Sequence, residues 1–187
     1  MLKFNQKLNT EDKDYHITSD LHFFHKNILK FCSDTRPWFD VDDMNRGLIE
    51  YWNDTVKPDD EIISLGDFSF GNKVQTQGIL EQLHGNKTYV LGNHCKLFRN
   101  QLGLPYYDYL ELRVNKTKVI LQHYAPLVWN AQHYGSVALF GHSHGGLEGA
   151  GRSIDVGWDA HGKFLKLEEA VKMCLDKEVE VRKYDNA

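Results

Sequence analysis

EIISLGDFSFGNKVQTQGILEQLHGNKTYVLGNH, residues 61–94, reads as one strand–helix–strand unit. Glu61 to Leu65 is a short apolar run that ends on Gly66-Asp67, and Lys87 to Leu91 is a second that ends on Gly92-Asn93-His94. Between them the spacing predicts a helix from roughly Lys73 to Leu83, weakened by Gly78. Parallel strands need a crossover of this kind. The same rhythm stands upstream. Tyr15 to Ser19 reads as a strand ending at Asp20-Leu21-His22, followed by a helix from about His25 to Cys32 and a turn-rich stretch, Ser33 to Phe39, that contains Arg36-Pro37. Asp40 then has the chemistry of an N-cap, with Asp43 as the acid of a capping box. The helix it opens carries Val41, Met44, Leu48 and Trp52 at helical spacing and stops near Lys57-Pro58. A βαβαβ order implies a parallel sheet whose ligands sit outside the carboxyl ends of the strands. Asp20, Asp67 and Asn93 each fall at such an end.

The second half changes character. Tyr109 to Val114, Lys118 to Gln122, Ser136 to Phe140 and Ser153 to Val156 read as strands with short or irregular links, which predicts antiparallel pairing. A last helix, Leu167 to Leu175, puts Leu167, Ala170, Val171, Cys174 and Leu175 on one apolar face, so Cys174 is expected in the core. Residues 1–14 are polar, a leader or edge segment. The expected fold is α/β: two sheets face to face with helices outside, one domain over residues 1–187.

Composition bounds the function. The 187 residues are 41% hydrophobic and 26% charged, ordinary for a soluble globular chain, with no apolar run of membrane-spanning length and no signal-peptide pattern. A cytoplasmic location is therefore expected. Cys32, Cys95 and Cys174 are too few and too scattered for a disulfide framework. A net charge of −4 without a dense basic run disfavours a long nucleic-acid track. Lys172, Lys177 and Arg182, beside acids, read as a solvated face. Ten histidines are many for this length, and several adjoin glycine or acid, as in a metal enzyme.

The densest cluster is VALFGHSHG, residues 137–145. On an extended chain His142 and His144, two apart, would point to the same side. With Asp20-x-His22, Gly66-Asp67, Gly92-Asn93-His94 and His123, the chain offers carboxylates, an amide oxygen and imidazoles at strand ends. Nitrogen and oxygen donors without thiolate suit Mn, Fe, Zn or Ni, and there are more of them than one ion needs. Two ions about 3.5–4 Å apart, sharing a carboxylate, would use them all.

DxH, GD, GNH, a lone His and GHxH, in that order from Asp20 to His144, resemble the calcineurin-like metallophosphoesterases. SDLHFFHKNI, TRPW, LGDFSFG, HYAP and HYGSVALFGHSHG resemble a compact phage and bacterial branch of that family without a cap domain. The resemblance implies a β-sandwich flanked by helices in four layers, α/β/β/α. It implies one divalent transition-metal ion on Asp20, His22, Asp67 and His144, and a second on Asp67, Asn93, His123 and His142, with Asp67 bridging. His94 would face the substrate phosphate and protonate the leaving oxygen. The family usually has an acid after GNH; here Cys95 stands there, as a bystander or an oxidisable group.

His25, near a helix N-terminus, and Arg36, a guanidinium able to fork a phosphate, are the expected substrate contacts. Trp129, Asn130, His133 and Tyr134 are candidates to line the cleft, whereas His16, His84 and His161 are assigned to structure. The expected activity is hydrolysis of a phosphomono- or phosphodiester by a metal-bridging hydroxide. A small nucleotide or cyclic phosphodiester is the preferred substrate because no cap closes the cleft. A nuclease or RNA-end processing enzyme and a non-catalytic protein-binding scaffold are the alternatives.

Overall fold

Strand pairing begins where the sequence places it and then departs from it. The computed structural model describes residues 1–11 and 13–180; Arg182, expected on a solvated face, lies outside the described residues. In chain order the elements are β1 (Gln6–Leu8), β2 (Tyr15–Thr18), α1 (Ile28–Phe31), α2 (Val41–Thr55), β3 (Glu61–Ser64), α3 (Lys73–Leu80), β4 (Asn86–Tyr89) and α4 (Lys96–Asn100). They continue with β5 (Leu110–Val114), β6 (Thr117–Leu121), β7 (Val137–Phe140), β8 (Ser153–Asp155), α5 (Trp158–His161), β9 (Leu165–Lys166) and α6 (Leu167–Leu175).

One sheet runs β4-β3-β2-β9, with β2, β3 and β4 parallel and β9 antiparallel to β2. The other runs β1-β5-β6-β7-β8. Only β5 and β6 pair antiparallel there; β1 with β5, β6 with β7 and β7 with β8 are parallel, which corrects the expectation of antiparallel pairing. The reason is length. The segments between β6 and β7 and between β7 and β8 are long enough to return the chain to the starting edge without a helix. The polar N-terminal segment supplies an edge strand, β1, with Leu2 and Leu8 buried in the core.

Two helices, α2 and α3, start on side-chain caps. Asp40 accepts the Asp43 N–H at 2.8 Å and starts α2, whose buried face is Met44, Asn45, Leu48 and Trp52. The Asp43 carboxylate reaches back one residue further than a capping box requires, to the Phe39 N–H. Asn72 and Gln75 form a reciprocal capping box that starts α3. The helix expected from His25 is shorter, confined to Ile28–Phe31, because residues 22–28 are spent on turns.

Alternate residues of β3 divide the core. Ile63 belongs to the cluster between the sheets, with Ile17, Leu112, Leu121, Leu139 and Ile154; Ile62 faces the outer cluster with Leu48, Trp52 and Phe68. α6 touches both sheets, and its Leu167, Ala170, Val171 and Cys174 join the inter-sheet cluster. Leu175, expected on that face, is 37% exposed, because the packed stripe ends at Cys174. The architecture is therefore α/β, two mixed sheets with flanking helices. Among the described residues no helix is long and apolar enough to cross a membrane.

Ile63 is fully buried where the two sheets meet. Ile63→Ala is expected to cost about 2–5 kcal/mol, read as a lower midpoint in urea, while Leu175→Ala should stay within about 0.5 kcal/mol.

Candidate metal centre

The parallel pairing of β2 with β3 continues beyond both strands. Asp20 N–H donates to the Gly66 carbonyl at 3.1 Å, His22 N–H to Asp67 at 3.0 Å and Phe23 N–H to Phe68 at 3.0 Å. Two strand-end loops are thereby laced together, with Asp20 and Asp67 side by side. The lacing has a conformational cost. Asp20 (φ +58°), His22 (+55°), Asp67 (+48°), His142 (+67°) and His144 (+49°) all lie in the left-handed region, at roughly 1–2 kcal/mol each. This corrects the reading of His142 and His144 as neighbours on an extended chain: they occupy a turn after β7, and it is the turn that aims them.

Two clusters result. The ligand atoms of Asp20, His22 and His144 lie within 4.8 Å of one another, and so do those of Asp67, His123 and His142. Asp67 sits between them, its Oδ2 3.4 Å from His123 Nε2 and 4.0 Å from His22 Nε2. Asn93 Oδ1 approaches His123 Nε2 at 2.9 Å. Asp20, His22, Asp67 and His123 are buried, whereas Asn93 and His142 are exposed.

Electron pairs converge in both places. Asp20 Oδ1 and His22 Nε2 are buried without a hydrogen-bond partner, 3.7 Å apart. An uncompensated carboxylate oxygen in that setting is costly, and a cation between the two would repay it. In the second cluster His123 Nδ1 donates to the Leu65 carbonyl at 2.7 Å, which leaves Nε2 facing two acceptors, Asp67 Oδ2 and Asn93 Oδ1. Without an ion the conflict is relieved by protonation. Burial works against the charge on His123, but Asp67 and Asp20 outweigh it and raise its pKa; burial likewise raises Asp67, yet His123 and the His94 N–H bring it below the ordinary carboxylate value. The residues fit divalent metal: these buried His/Asp clusters could hold ions, and their donor set selects no single element.

Glycine admits the approach. A Cβ on Gly92 would overlap Asp67 Oδ1 and the His123 ring, and one on Gly141 would overlap Ser19 and Asp20 Oδ2.

The remaining candidates separate. His94 is exposed, its ring 4.7 Å from Phe70 and 6.3 Å from His22, and its N–H donates to Asp67 Oδ1 at 2.9 Å. His25 lies at the same rim, stacked on Phe70 at 4.1 Å with Nδ1 3.0 Å from His22 Nδ1; burial, then His22 and His94, push its pKa down to about 4. Arg36 is no fork for a phosphate: it is buried, and its donors are taken by Asp159, Met44 and two backbone carbonyls. Trp129 bonds Ser136 and Asn130 bonds Glu111 on β5, so both polar ends are tied into the five-stranded sheet. Tyr124 stands nearer, 4.6 Å from His142 ring to ring. His16 pairs with Asp60 at 3.2 Å; with Asp14 they form a further group within reach of an ion, but Asp14 is bridged to Lys166. Cys95 is buried, its Sγ accepting the N–H groups of Asp67 (3.2 Å) and Gly92 (3.4 Å), and burial raises its pKa. It pins the loop, with the thiol kept neutral.

Three residues around the site carry no motif signal. Asp155 accepts from Ser143 Oγ, Gly145 N–H and Gly157 N–H and so fixes the histidine turn. Asp159 holds His144 Nδ1 at 2.6 Å, with Cys32 Sγ 3.7 Å from the same nitrogen. The one sequence trace of Asp155 and Asp159 is their four-residue spacing from the last residue of β8.

No family model matches the chain. An uncharacterized protein of Methanocaldococcus jannaschii is 36% identical over 96 residues, 50% of this chain and 53% of that one, so the chain spans about half the length of this relative. The Gene 66 protein of a Mycobacterium phage is 29% identical over 195 residues, covering 85% of this chain and 94% of its own. Among solved structures, a protein of unknown function from Aquifex aeolicus superposes with a TM-score of 0.67 at 23% identity, over 86% of this chain and 99% of that one, and so shares the fold. A conserved uncharacterized protein from Streptococcus pneumoniae, named a predicted phosphoesterase, overlaps only loosely (TM-score 0.33, 16% identity, 71% of this chain and 63% of that one).

Gly92→Ala is expected to keep its secondary structure by circular dichroism yet lose most metal uptake, measured by elemental analysis after dialysis against Mn or Zn.

Proposed function

We propose that the chain is a binuclear metal-dependent phosphoesterase. The observation that carries this reading is the carboxylate of Asp67 between two clusters of converging electron pairs. Asp20, His22, Asp67 and His144 would hold one divalent transition-metal ion and Asp67, Asn93, His123 and His142 the other. When bound, such a pair supplies an ionised water near neutral pH and neutralises phosphoryl charge. The chain's own contribution is positional. Asp67, fixed by the His94 N–H, sets the spacing of the two clusters. His94, exposed at the rim, can reach a phosphate and give its proton to the departing oxygen. His25 beside it, largely neutral at pH 7, can share a hydrogen bond but adds little charge.

A small phosphomono- or phosphodiester suits the site better than a long polymer. A groove of about 340 Å³ opens beside Asn93 and His123 and is walled by Tyr109, Gln122 and Tyr124, with the Arg99–Asp108 pair at its edge. Aromatic walls and an amide favour a planar group on the ester, as in a nucleotide.

Asp67→Ala is expected to abolish both metal loading and turnover of an aryl phosphate ester. A variant with full activity would falsify the proposal. His94→Ala should retain its metal and lose about 10²–10⁴-fold in turnover. Because protons compete with ions for four imidazoles, metal uptake should weaken as pH falls, first at His123 and His144, where burial is outweighed by neighbouring carboxylates that raise the pKa, and last at His22 and His142, which burial lowers. Mono- and diesters assayed with Mn, Fe, Ni, Zn and Mg give the preference.

A further inference from the structure

One buried cation has no part in the reading above. Arg36 presents five N–H donors, and each has an acceptor. Nε and Nη2 bond the two oxygens of Asp159 at 2.9 and 2.8 Å, Nη2 also bonds the Asp20 carbonyl at 2.6 Å, and Nη1 bonds the Leu21 carbonyl at 2.9 Å and Met44 Sδ at 3.5 Å. Asp159 passes the contact on. Its Oδ1 accepts from Thr35 Oγ1 at 2.5 Å, and its Oδ2 lies 2.6 Å from His144 Nδ1. An ionised carboxylate only accepts, so the hydrogen in that last bond sits on Nδ1. The neutral ring then carries its lone pair on Nε2, the nitrogen left for the cluster with Asp20 and His22.

The same guanidinium therefore touches both sides of that cluster: the backbone of Asp20 directly, and the ring of His144 through one carboxylate. Both residues sit in left-handed backbone (φ +58° and +49°), which local preference alone would not hold. We propose that Arg36 and Asp159 form a brace that fixes the His144 tautomer and the spacing of Asp20 from His144, making Asp159 a positioning residue for the ion held by Asp20, His22 and His144. The inference rests on the binuclear reading. A carboxylate behind a metal-ligating imidazole generally changes affinity by about 10–100-fold. Were the buried ion pair to serve folding alone, its loss would weaken both ions or neither.

Two measurements test the proposal, the first its geometry and the second its role. In metal-free wild-type protein at a pH above the imidazole titrations, ¹⁵N NMR of the histidine rings should find His144 protonated on Nδ1; Nε2–H would overturn the brace. Asp159→Asn, titrated with Mn or Zn by calorimetry, should weaken one of two ions by about 10–100-fold and leave the other unchanged. Arg36→Lys, which keeps the charge but loses the fork, should do the same to a smaller degree. A folded Asp159→Asn protein that binds both ions as tightly as wild type overturns the proposal, and if that variant does not fold, Arg36→Lys decides, unchanged affinity for both ions overturning it. Wild-type protein that takes up no ion removes the binuclear reading itself, an outcome distinct from the tautomer result.

Discussion

A buried carboxylate oxygen without a donor governs this molecule. Asp20 is fully buried; its Oδ2 takes the His142 N–H at 2.8 Å, while Oδ1 faces only His22 Nε2 and has no donor. A buried oxygen left without a donor is expensive, so a fold that keeps it must gain elsewhere. The gain here is in packing: two sheets share a cluster of fully buried aliphatic side chains, and α6 closes it. The strained residues are attached to that rigid base at the strand ends, where the chain leaves the sheet and the hydrogen-bond ladder is extended by loop backbone. Stability and strain are thus separated by only a few residues along each strand.

Much of the architecture was legible because it is local. Asp40 before Val41, Met44, Leu48 and Trp52 announces a capped amphipathic helix, and α2 begins there. Ile62 and Ile63 show that a short apolar run can serve two cores at once. What was not legible depends on the path of the links. Nothing in residues 122–136 says that the chain returns to pair β7 parallel to β6, since the segment has no helical period to mark a crossover.

The nearness of the candidate site's side chains was legible, and what aims them was not. Asp20, His22, Asp67, His123, His142 and His144 do converge, as their residue types and strand-end positions suggested. The reason given for the histidine pair did not hold, because an alternation of left-handed turns rather than an extended strand aims the rings. Arg36 misled for a simple reason. From sequence, an arginine beside a proline in a turn-rich stretch looks exposed, and its burial depends on Asp159, 123 positions away. Long-range polar pairs leave no periodic trace, which is also why Asp155 passed unnoticed.

The unequal depth of the two clusters has a bearing on how the protein would live with scarce metal. Asp20, His22 and Asp67 are sealed, whereas His142 and Asn93 open to solvent. In the proposed centre each position would keep a ligand within reach of solvent, half-buried His144 at the inner and exposed His142 and Asn93 at the outer, so the outer ion would exchange the more readily. Loss of metal to a chelator would then be stepwise, the outer position emptying before the inner.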